Sequence, residues 1–317
     1  NYDPIQDILS TITVISRCIL PDRIFKMTGS ESPSAMGKRI VREMRVALRR
    51  MDQDMFVDLV SQYNTLLEKF RSGLLPQDNP SRGSFELVSH LLLQVYNRVV
   101  SPQVEKLRQY KAFSNNVYGE INPILTNELL QRCKVDSNGV FLDLGCGIGN
   151  VVIQAGAQTG CEAYGVEIMS EPARLGQAQV TEFIARSRCY KLDHGPIEVI
   201  HGDFLEIPRV AQLLSRATVV LANNYAFDSA LNQRLLALFL ELQDGAKIIS
   251  LRSFVPNGHR ITERNAGSVE SILKVQTHRY PPGSVSWTGA AGYYYIHEVD
   301  RRPVEDFWRK IRETRRG

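Results

Sequence analysis

The sequence predicts an α/β fold, in which a mostly parallel sheet carries helices on both faces and follows an all-helical lobe. Three observations predict it. From residue 140 onward, short apolar runs alternate with segments of helical pattern. A glycine-rich turn, 145–149, directly follows the first of these runs. The second apolar run ends at Glu167, and Asp203 closely follows the third run. Polar groups therefore recur at the strand ends, where sheets of this kind bind ligands.

Residues 1–112 are predicted to form the helical lobe. Apolar side chains recur there at helical spacing, which predicts three helices, over about residues 35–51, 52–70 and 85–100. Residues 1–25 give no clear pattern. The apolar stripes of these helices are packing surfaces and not a cofactor site.

Residues 113–300 are predicted to form the α/β domain, and residues 301–317 a basic C-terminal helix or tail. Five strands are expected to alternate with helices, over residues 140–144, 163–167, 197–201, 218–222 and 246–251. Two later apolar segments, 272–277 and 293–299, are expected to form a terminal antiparallel pair.

The turn Asp143-Leu144-Gly145-Cys146-Gly147-Ile148-Gly149-Asn150 is typical of two kinds of cofactor site. One binds a dinucleotide, and the other binds S-adenosylmethionine in a class I methyltransferase with a seven-stranded, Rossmann-like sheet. The dinucleotide pattern is G-x-G-x-x-G, whereas the spacing here is G-x-G-x-G. A carboxylate at Asp143 would repel a pyrophosphate but suits ammonium and sulfonium charges. Glu167 lies 18 residues past Gly149, where a carboxylate can receive ribose hydroxyls. The turn therefore favours S-adenosylmethionine.

Composition limits the alternatives. The 317 residues are 43% hydrophobic and 23% charged, which is ordinary for a globular protein. No apolar run reaches the roughly 18 residues of a membrane span, so no membrane association is expected. The five cysteines form no C-x-x-C pair and the six histidines show no metal spacing, which argues for a reducing compartment and against a metal site. The beginning at Asn1 suggests a fragment of a longer protein.

Positive charge lies at the two ends of the chain. Residues 1–116 carry a net charge of +4, residues 117–300 carry −4, and residues 301–317 carry +4. Basic flanks around a slightly acidic core fit a polyanionic partner such as DNA. The alternative is that the first basic cluster, 38–50, is only a solvated helix face.

Three further segments carry a family resemblance. They are Val117-Tyr118-Gly119-Glu120, Asn223-Asn224-Tyr225-Ala226-Phe227 and Gly283-Ser284-Val285-Ser286-Trp287-Thr288-Gly289, the last followed by Tyr293-Tyr294-Tyr295. Together they resemble the disruptor-of-telomeric-silencing family of histone lysine methyltransferases, in particular its fungal members, over about residues 113–300. The resemblance implies a nuclear enzyme that uses S-adenosylmethionine, releases S-adenosylhomocysteine, and methylates lysine seventy-nine of histone H3 in the nucleosome. It also implies DNA contact through a basic flank, and a role in chromatin silencing.

The residues predicted to bind the cofactor are those of the strand ends and of the first two motifs: Tyr118, Glu120, Asp143, Gly145, Gly147, Asn150, Glu167, Asp203, Phe204, Asn223 and Phe227. Asp143 suits the methionine ammonium, and Tyr118 the cationic sulfur. Asp203 can accept from the adenine amine, and Phe204 can stack on the ring.

The residues predicted to act on the methyl acceptor are Asn223, Tyr225, Trp287, Tyr294 and Tyr118. Asn223 is expected to orient donor and amine, while the aromatic side chains wall a channel that favours the neutral amine. No general base stands out, so the lysine is expected to lose its proton to water. Relatives often have phenylalanine at the position of Tyr225, and its hydroxyl is expected to change how readily successive methyl groups are accommodated.

The loop 254–265 also matches the family. The resemblance implies that Arg264, with Arg260 nearby, contacts the acidic patch of the two smaller core histones. The alternative is an exposed loop arginine. Two alternatives remain for the whole protein: a nucleic-acid amino-methyltransferase, which often has prolines after its fourth strand, and a non-catalytic chromatin-binding module.

Overall fold

The computed structural model describes residues 2–20, 31–72, 83–107 and 119–315. The chain divides into two compact units. The first comprises Asn1–Arg98 together with Phe183–Asp193, and the second comprises Val99–Glu182 together with His194–Gly317. The domain boundaries expected after residues 112 and 300 remain a prediction.

The first unit is helical. Its helices are α1 (Pro4–Cys18), α2 (Pro33–Arg50), α3 (Gln53–Arg71) and α4 (Phe85–Val99). The sequence pattern predicts the last three but not α1. That helix begins at a proline preceded by Asp3, whose side chain accepts hydrogen bonds from the backbone N–H groups of Ile5 and Gln6. Buried apolar side chains from α1, α2 and α3 pack into one core: Leu9, Ile12, Ile40, Val41, Met44, Leu59 and Tyr63.

A buried glutamine ties the later part of this unit to its first helix. Gln94 Nε2 donates to Asp7 Oδ1 at 2.9 Å. Gln94 Oε1 accepts from Arg186 Nη1 at 2.8 Å and from the Tyr190 hydroxyl at 3.2 Å. Residues 183–193 are therefore held in the first unit by hydrogen bonds to a side chain of α4.

The second unit contains a seven-stranded sheet. Its strands are β1 (Val140–Leu144), β2 (Glu162–Glu167), β3 (Ile197–His201), β4 (Val219–Ala222), β5 (Lys247–Ser250), β6 (Leu273–Tyr280) and β7 (Gly292–Val299). They are ordered β3-β2-β1-β4-β5-β7-β6. The first five strands run parallel, and β7 is antiparallel to both β5 and β6. The predicted mostly parallel sheet with a terminal antiparallel pair is confirmed.

Two helices, α5 (Val104–Leu107) and α6 (Pro123–Cys133), precede β1. The connections between the parallel strands contain α7 (Asn150–Thr159), α8 (Ser170–Cys189), α9 (Pro208–Leu214) and α10 (Ser229–Leu238), and α11 (Arg302–Thr314) follows the last strand. Helix α8 starts in the second unit and ends in the first. Among the described residues, no helix is both long enough and apolar enough to span a membrane.

The order of the strands changes direction beside β1. This strand is buried at every position and pairs in parallel with β2 on one side and β4 on the other. The chain order therefore reverses at β1, and a crevice forms outside the carboxyl ends of the strands at such a point. The segments that follow Leu144, Glu167 and Ala222 meet at these carboxyl ends.

Candidate cofactor and methyl-acceptor site

The turn between β1 and α7 requires glycine. Gly145, Gly147 and Gly149 have φ angles of 91°, 56° and 78°, in the left-handed region that residues with a Cβ rarely adopt. The backbone N–H of Gly145 donates to Val166 O at 2.8 Å, which fastens the turn to β2. A Cβ on Gly149 would lie 2.9 Å from Val199 Cγ2. The glycines thus allow both the turn and its close packing.

Two buried carboxyl groups border this turn. Asp143 and Glu167 are only 3% and 7% exposed. Glu167 accepts backbone hydrogen bonds from Gly147 and Met169, each at 2.8 Å. The side chain of Asp143 has no hydrogen bond or ion pair with any other described residue.

Burial shifts the protonation of both acids. Burial, reinforced by the charge of Glu167, raises the pKa of Asp143 to about 8. Burial also raises the pKa of Glu167, although the N–H groups of Met169 and Gly147 oppose that shift. No lysine or arginine of the described residues forms an ion pair with either group, so the pair favours a ligand that brings positive charge.

The crevice holds two adjoining cavities. The larger has a volume of about 220 Å³ and the smaller about 30 Å³. Residues common to both linings are Gly119, Gly145, Gly147 and Asn223. The larger is also lined by Glu167, Asp203, Phe204 and Phe227, and the smaller by Glu120, Asp143 and Asn150. The predicted cofactor residues that the structure describes therefore surround one continuous region.

Asp203 and Phe204 lie at the far side of the larger cavity, after β3. Asp203 Oδ1 accepts the backbone N–H of Leu205 at 2.8 Å, which fixes the carboxylate. Phe204 is buried, and the apolar side chains of Ile168 and Met169 line the same cavity. A planar apolar group with a polar edge fits this part of the site.

Glu120 is oriented by a chain of side-chain amides. Asn150 Nδ2 donates to Glu120 Oε2 at 3.2 Å. Asn150 Oδ1 in turn accepts from Gln179 Nε2 at 3.1 Å, and the same nitrogen donates to Ile148 O at 2.7 Å. Gln179 is fully buried on α8. Sequence reasoning missed it, because a single glutamine inside a long helix carries no motif.

The first and third family motifs are neighbours in space. Ile121 and Val285 form an antiparallel bridge, and the backbone N–H of Glu120 donates to Ser286 Oγ at 2.8 Å. A Cβ on Gly119 would lie 2.6 Å from Cε3 of the Trp287 ring, so that ring packs directly on the glycine. Tyr118 lies outside the described residues, and its role remains a prediction.

Asn223 lines both cavities, whereas the predicted acceptor-site residues Tyr225 and Trp287 line neither of them. Asn223 Oδ1 and Trp287 Nε1 are both buried, with no hydrogen-bond partner among the described residues. The rings of Tyr225 and Trp287 lie 5.6 Å apart, and Tyr225 is 45% exposed. Buried polar atoms of this kind usually have a partner, so the acceptor and the donor are available to a ligand.

The structure does not bring Tyr294 to this crevice. Its side chain is fully buried, its hydroxyl donates to Glu128 Oε1 at 2.8 Å, and its ring stacks on His278 at 5.1 Å. Alternate residues of a strand face opposite sides of a sheet, so three consecutive tyrosines on β7 cannot share one face. Arg260 and Arg264 are exposed in the loop between β5 and β6, and their proposed contacts remain a prediction.

Asn224 is a second residue that sequence reasoning did not assign. It is 1% exposed, and its Oδ1 accepts the backbone N–H groups of Leu251 and Arg252 at 3.1 and 2.8 Å. The two asparagines of the motif thus have different roles: Asn223 lines the crevice, and Asn224 fixes the neighbouring loop. The Asn-Asn pair in the sequence was the signal that could have indicated a role for Asn224.

Comparison with solved structures gives weak matches. An RNA methyltransferase from Salinibacter ruber in complex with S-adenosyl-L-homocysteine has a TM-score of 0.38 and 20% identity, over 57% of this chain and 94% of that one. An O-methyltransferase from Bacillus cereus has a TM-score of 0.40 and 14% identity, over 68% and 100%.

Curated relatives are much more similar in sequence. The protein named "Histone-lysine N-methyltransferase, H3 lysine-79 specific" from Aspergillus fumigatus is 38% identical over 310 residues, 97% of this chain. The protein of the same name from Yarrowia lipolytica is 46% identical over 225 residues, 71% of this chain. The chain spans 61% of the first relative and 46% of the second.

The family described as "Histone methylation protein DOT1" matches residues 96–299. The match includes every strand of the sheet and each residue that lines the crevice. It covers well over half of the 317 residues. This chain therefore belongs to the DOT1 histone methylation family.

Proposed function

We propose that this chain is the catalytic region of an S-adenosylmethionine-dependent histone-lysine N-methyltransferase. The observation that carries the proposal is the buried pair Asp143 and Glu167, which lies beside a glycine turn with no cationic partner among the described residues. Family membership and the names of the relatives support the same conclusion.

The residues present fit S-adenosylmethionine. Asp143 would hold the methionine ammonium, because a buried carboxylate without a partner gains most from a cation. Glu167 keeps lone pairs free for ribose hydroxyls while the N–H groups of Gly147 and Met169 hold it in place. Asp203 and Phe204 would receive the adenine. When bound, the cofactor supplies a methyl group on a positively charged sulfur.

The protein's own task is then to present a neutral amine in line with that methyl group. Tyr225, Phe227 and Trp287 would enclose the lysine stem and disfavour the charged ammonium. Asn223 Oδ1, which has no hydrogen-bond partner in the described parts of the chain, can accept one amine N–H and so direct the nitrogen lone pair. Among the described residues no cluster of His, Cys, Asp or Glu is suited to hold a metal ion. The lysine proton would leave to water.

The proposed substrate is lysine seventy-nine of histone H3 in the nucleosome, which places the protein in the nucleus. The curated relatives are named for that lysine. We also propose that Arg260 and Arg264 contact the acidic patch of the two smaller core histones. The basic helix α11 and the basic segment 38–50 would contact DNA, since polyanions attract such clusters.

The test is methyl transfer from labelled S-adenosylmethionine to nucleosomes, free histones and naked DNA in parallel. We expect label on histone H3 in nucleosomes only, and its loss in Asn223→Ala. Asn138→Ala is the matched control, because Asn138 is an exposed residue at the opposite end of β1. Label on DNA would instead favour a nucleic-acid amino-methyltransferase. Cofactor binding without any transfer would favour a chromatin-binding module.

A further inference from the structure

The backbone of Arg252 is held by two side chains, one from β5 and one from the segment after β4. Asn224 Oδ1 accepts the N–H of Arg252 at 2.8 Å, and Asn224 Nδ2 donates to its carbonyl at 3.1 Å. Ser250 Oγ donates to the same carbonyl at 2.8 Å. Asn224 and Ser250 are both buried, so the peptide that carries this arginine has a fixed position next to Asn223.

The side chain of Arg252 lies over the ring of Tyr225, which follows Asn223 by two residues. Its Cζ is 5.3 Å from the centroid of the Tyr225 ring, which contacts the Trp287 ring. Arg252 is exposed, and its guanidinium has no hydrogen bond or ion pair with any described residue. The N–H donors of a guanidinium, in a fixed fork, thus remain available beside the two rings.

Stability does not account for this arrangement. A cation over an exposed aromatic ring contributes only about 0.5–1 kcal/mol, and it requires no clamped backbone. Because the guanidinium is exposed, its charge is largely screened, and it neither repels an approaching lysine ammonium strongly nor lowers the pKa of that lysine substantially. Its free N–H donors suit an anionic group, and a carboxylate near the lysine would use them.

We propose that Arg252 is a specificity-determining residue that binds a carboxylate close to the methyl-accepting lysine of the substrate. The inference rests on the proposed lysine methyltransferase function. A guanidinium presents two parallel N–H donors, the arrangement that binds a carboxylate bidentately. Arg252 thus selects lysines that have an acidic neighbour on the substrate surface.

The test compares Arg252→Gln with wild type in steady-state methylation of nucleosomes. We expect kcat/KM to fall about tenfold with kcat within about twofold, and the Kd of S-adenosylmethionine to stay unchanged. Arg216→Gln is the matched control, because it removes the same charge from an exposed arginine paired with Glu162, at the amino end of β2. The control should leave kcat/KM nearly unchanged.

Substrate variants then identify the carboxylate. Each acidic residue near the methylated lysine is changed to its amide, and the Arg252→Gln effect is measured again on each variant. One variant should lower kcat/KM for wild type and abolish the effect of Arg252→Gln. An effect that persists on every variant would contradict the inference, as would an Arg252→Gln enzyme with wild-type kcat/KM. Wild-type protein that methylates no lysine would refute the proposed function itself.

Discussion

At the scale of single residues, Asp143 shows the conflict between binding and stability. Its burial raises the pKa to about 8 from an ordinary 3.8. The folded protein therefore binds this proton more tightly than the unfolded chain does. Between about pH 4 and pH 8 the contribution of Asp143 to the free energy of unfolding falls as pH rises, because the unfolded chain releases the proton first. A cationic ligand reverses that penalty.

Asp143→Asn removes this titration. We expect the variant without ligand to have a Tm above that of wild type by about 5 °C at pH 8, with a smaller difference at pH 5. Its affinity for S-adenosylmethionine should fall by about 100-fold or more. Thermal unfolding across this pH range and titration calorimetry measure the two effects. An equal pH dependence for both proteins would contradict the assignment.

Calorimetry also tests the same proton in the wild type. Because the ammonium of the cofactor favours the charged carboxylate, binding at pH 7 should release close to one proton from Asp143. Titrations in two buffers of different ionisation enthalpy report that number directly. Binding without proton release would show that Asp143 is already ionised in the free protein.

At the scale of elements, helix α8 supports the glycine turn from behind. Gln179→Leu removes the bonds to Ile148 O and Asn150 Oδ1. We expect KM for S-adenosylmethionine to rise about fivefold to tenfold with kcat within about twofold, because Glu120 loses its orientation. The double variant with Asn150→Ala should be clearly non-additive. Gln212→Leu, on the exposed side of α9, is the control.

The turn itself can be tested with a matched pair of glycines. Gly149 and Gly258 have φ angles of 78° and 76°, so alanine is strained to the same degree at both. Only at Gly149 does the new Cβ meet another residue, at 2.9 Å, whereas at Gly258 nothing lies within 4 Å. We expect Gly149→Ala to lower the free energy of unfolding by about 1–3 kcal/mol more than Gly258→Ala. Denaturant unfolding measures the difference.

At the scale of the whole molecule, charge at the chain's end should govern nucleosome affinity. Lys310 and Arg312 are exposed on α11 and form no ion pair with the described residues. Changing both to glutamine should weaken nucleosome binding and reduce the slope of log K against log salt by about 2. Cofactor affinity should not change. A slope equal to that of wild type would place the DNA contact elsewhere.

The sheet of the whole molecule could be predicted from the sequence, because an apolar strand, a glycine turn and an acidic strand end follow each other with a fixed spacing. The side of the sheet that a given side chain faces was harder to predict. Tyr294 and its neighbours look equivalent in sequence, and only the pairing of β7 in the sheet directs Tyr294 toward Glu128. Helix α1 was missed although the sequence carried the signals for it: Ile5, Ile8, Leu9, Ile12 and Ile15 recur at helical spacing, and Asp3 and Pro4 are a start signal.

The first unit is assembled from two separate stretches of the chain, Asn1–Arg98 and Phe183–Asp193. During synthesis the ribosome delivers the second stretch only after β1 and β2 have emerged. Gln94 therefore cannot bond to Arg186 and Tyr190 at first, and its side-chain oxygen is solvated until those residues have been synthesised. The helical unit, although first in sequence, is completed late, and a truncation that removes residues 1–98 leaves the second stretch without its partners.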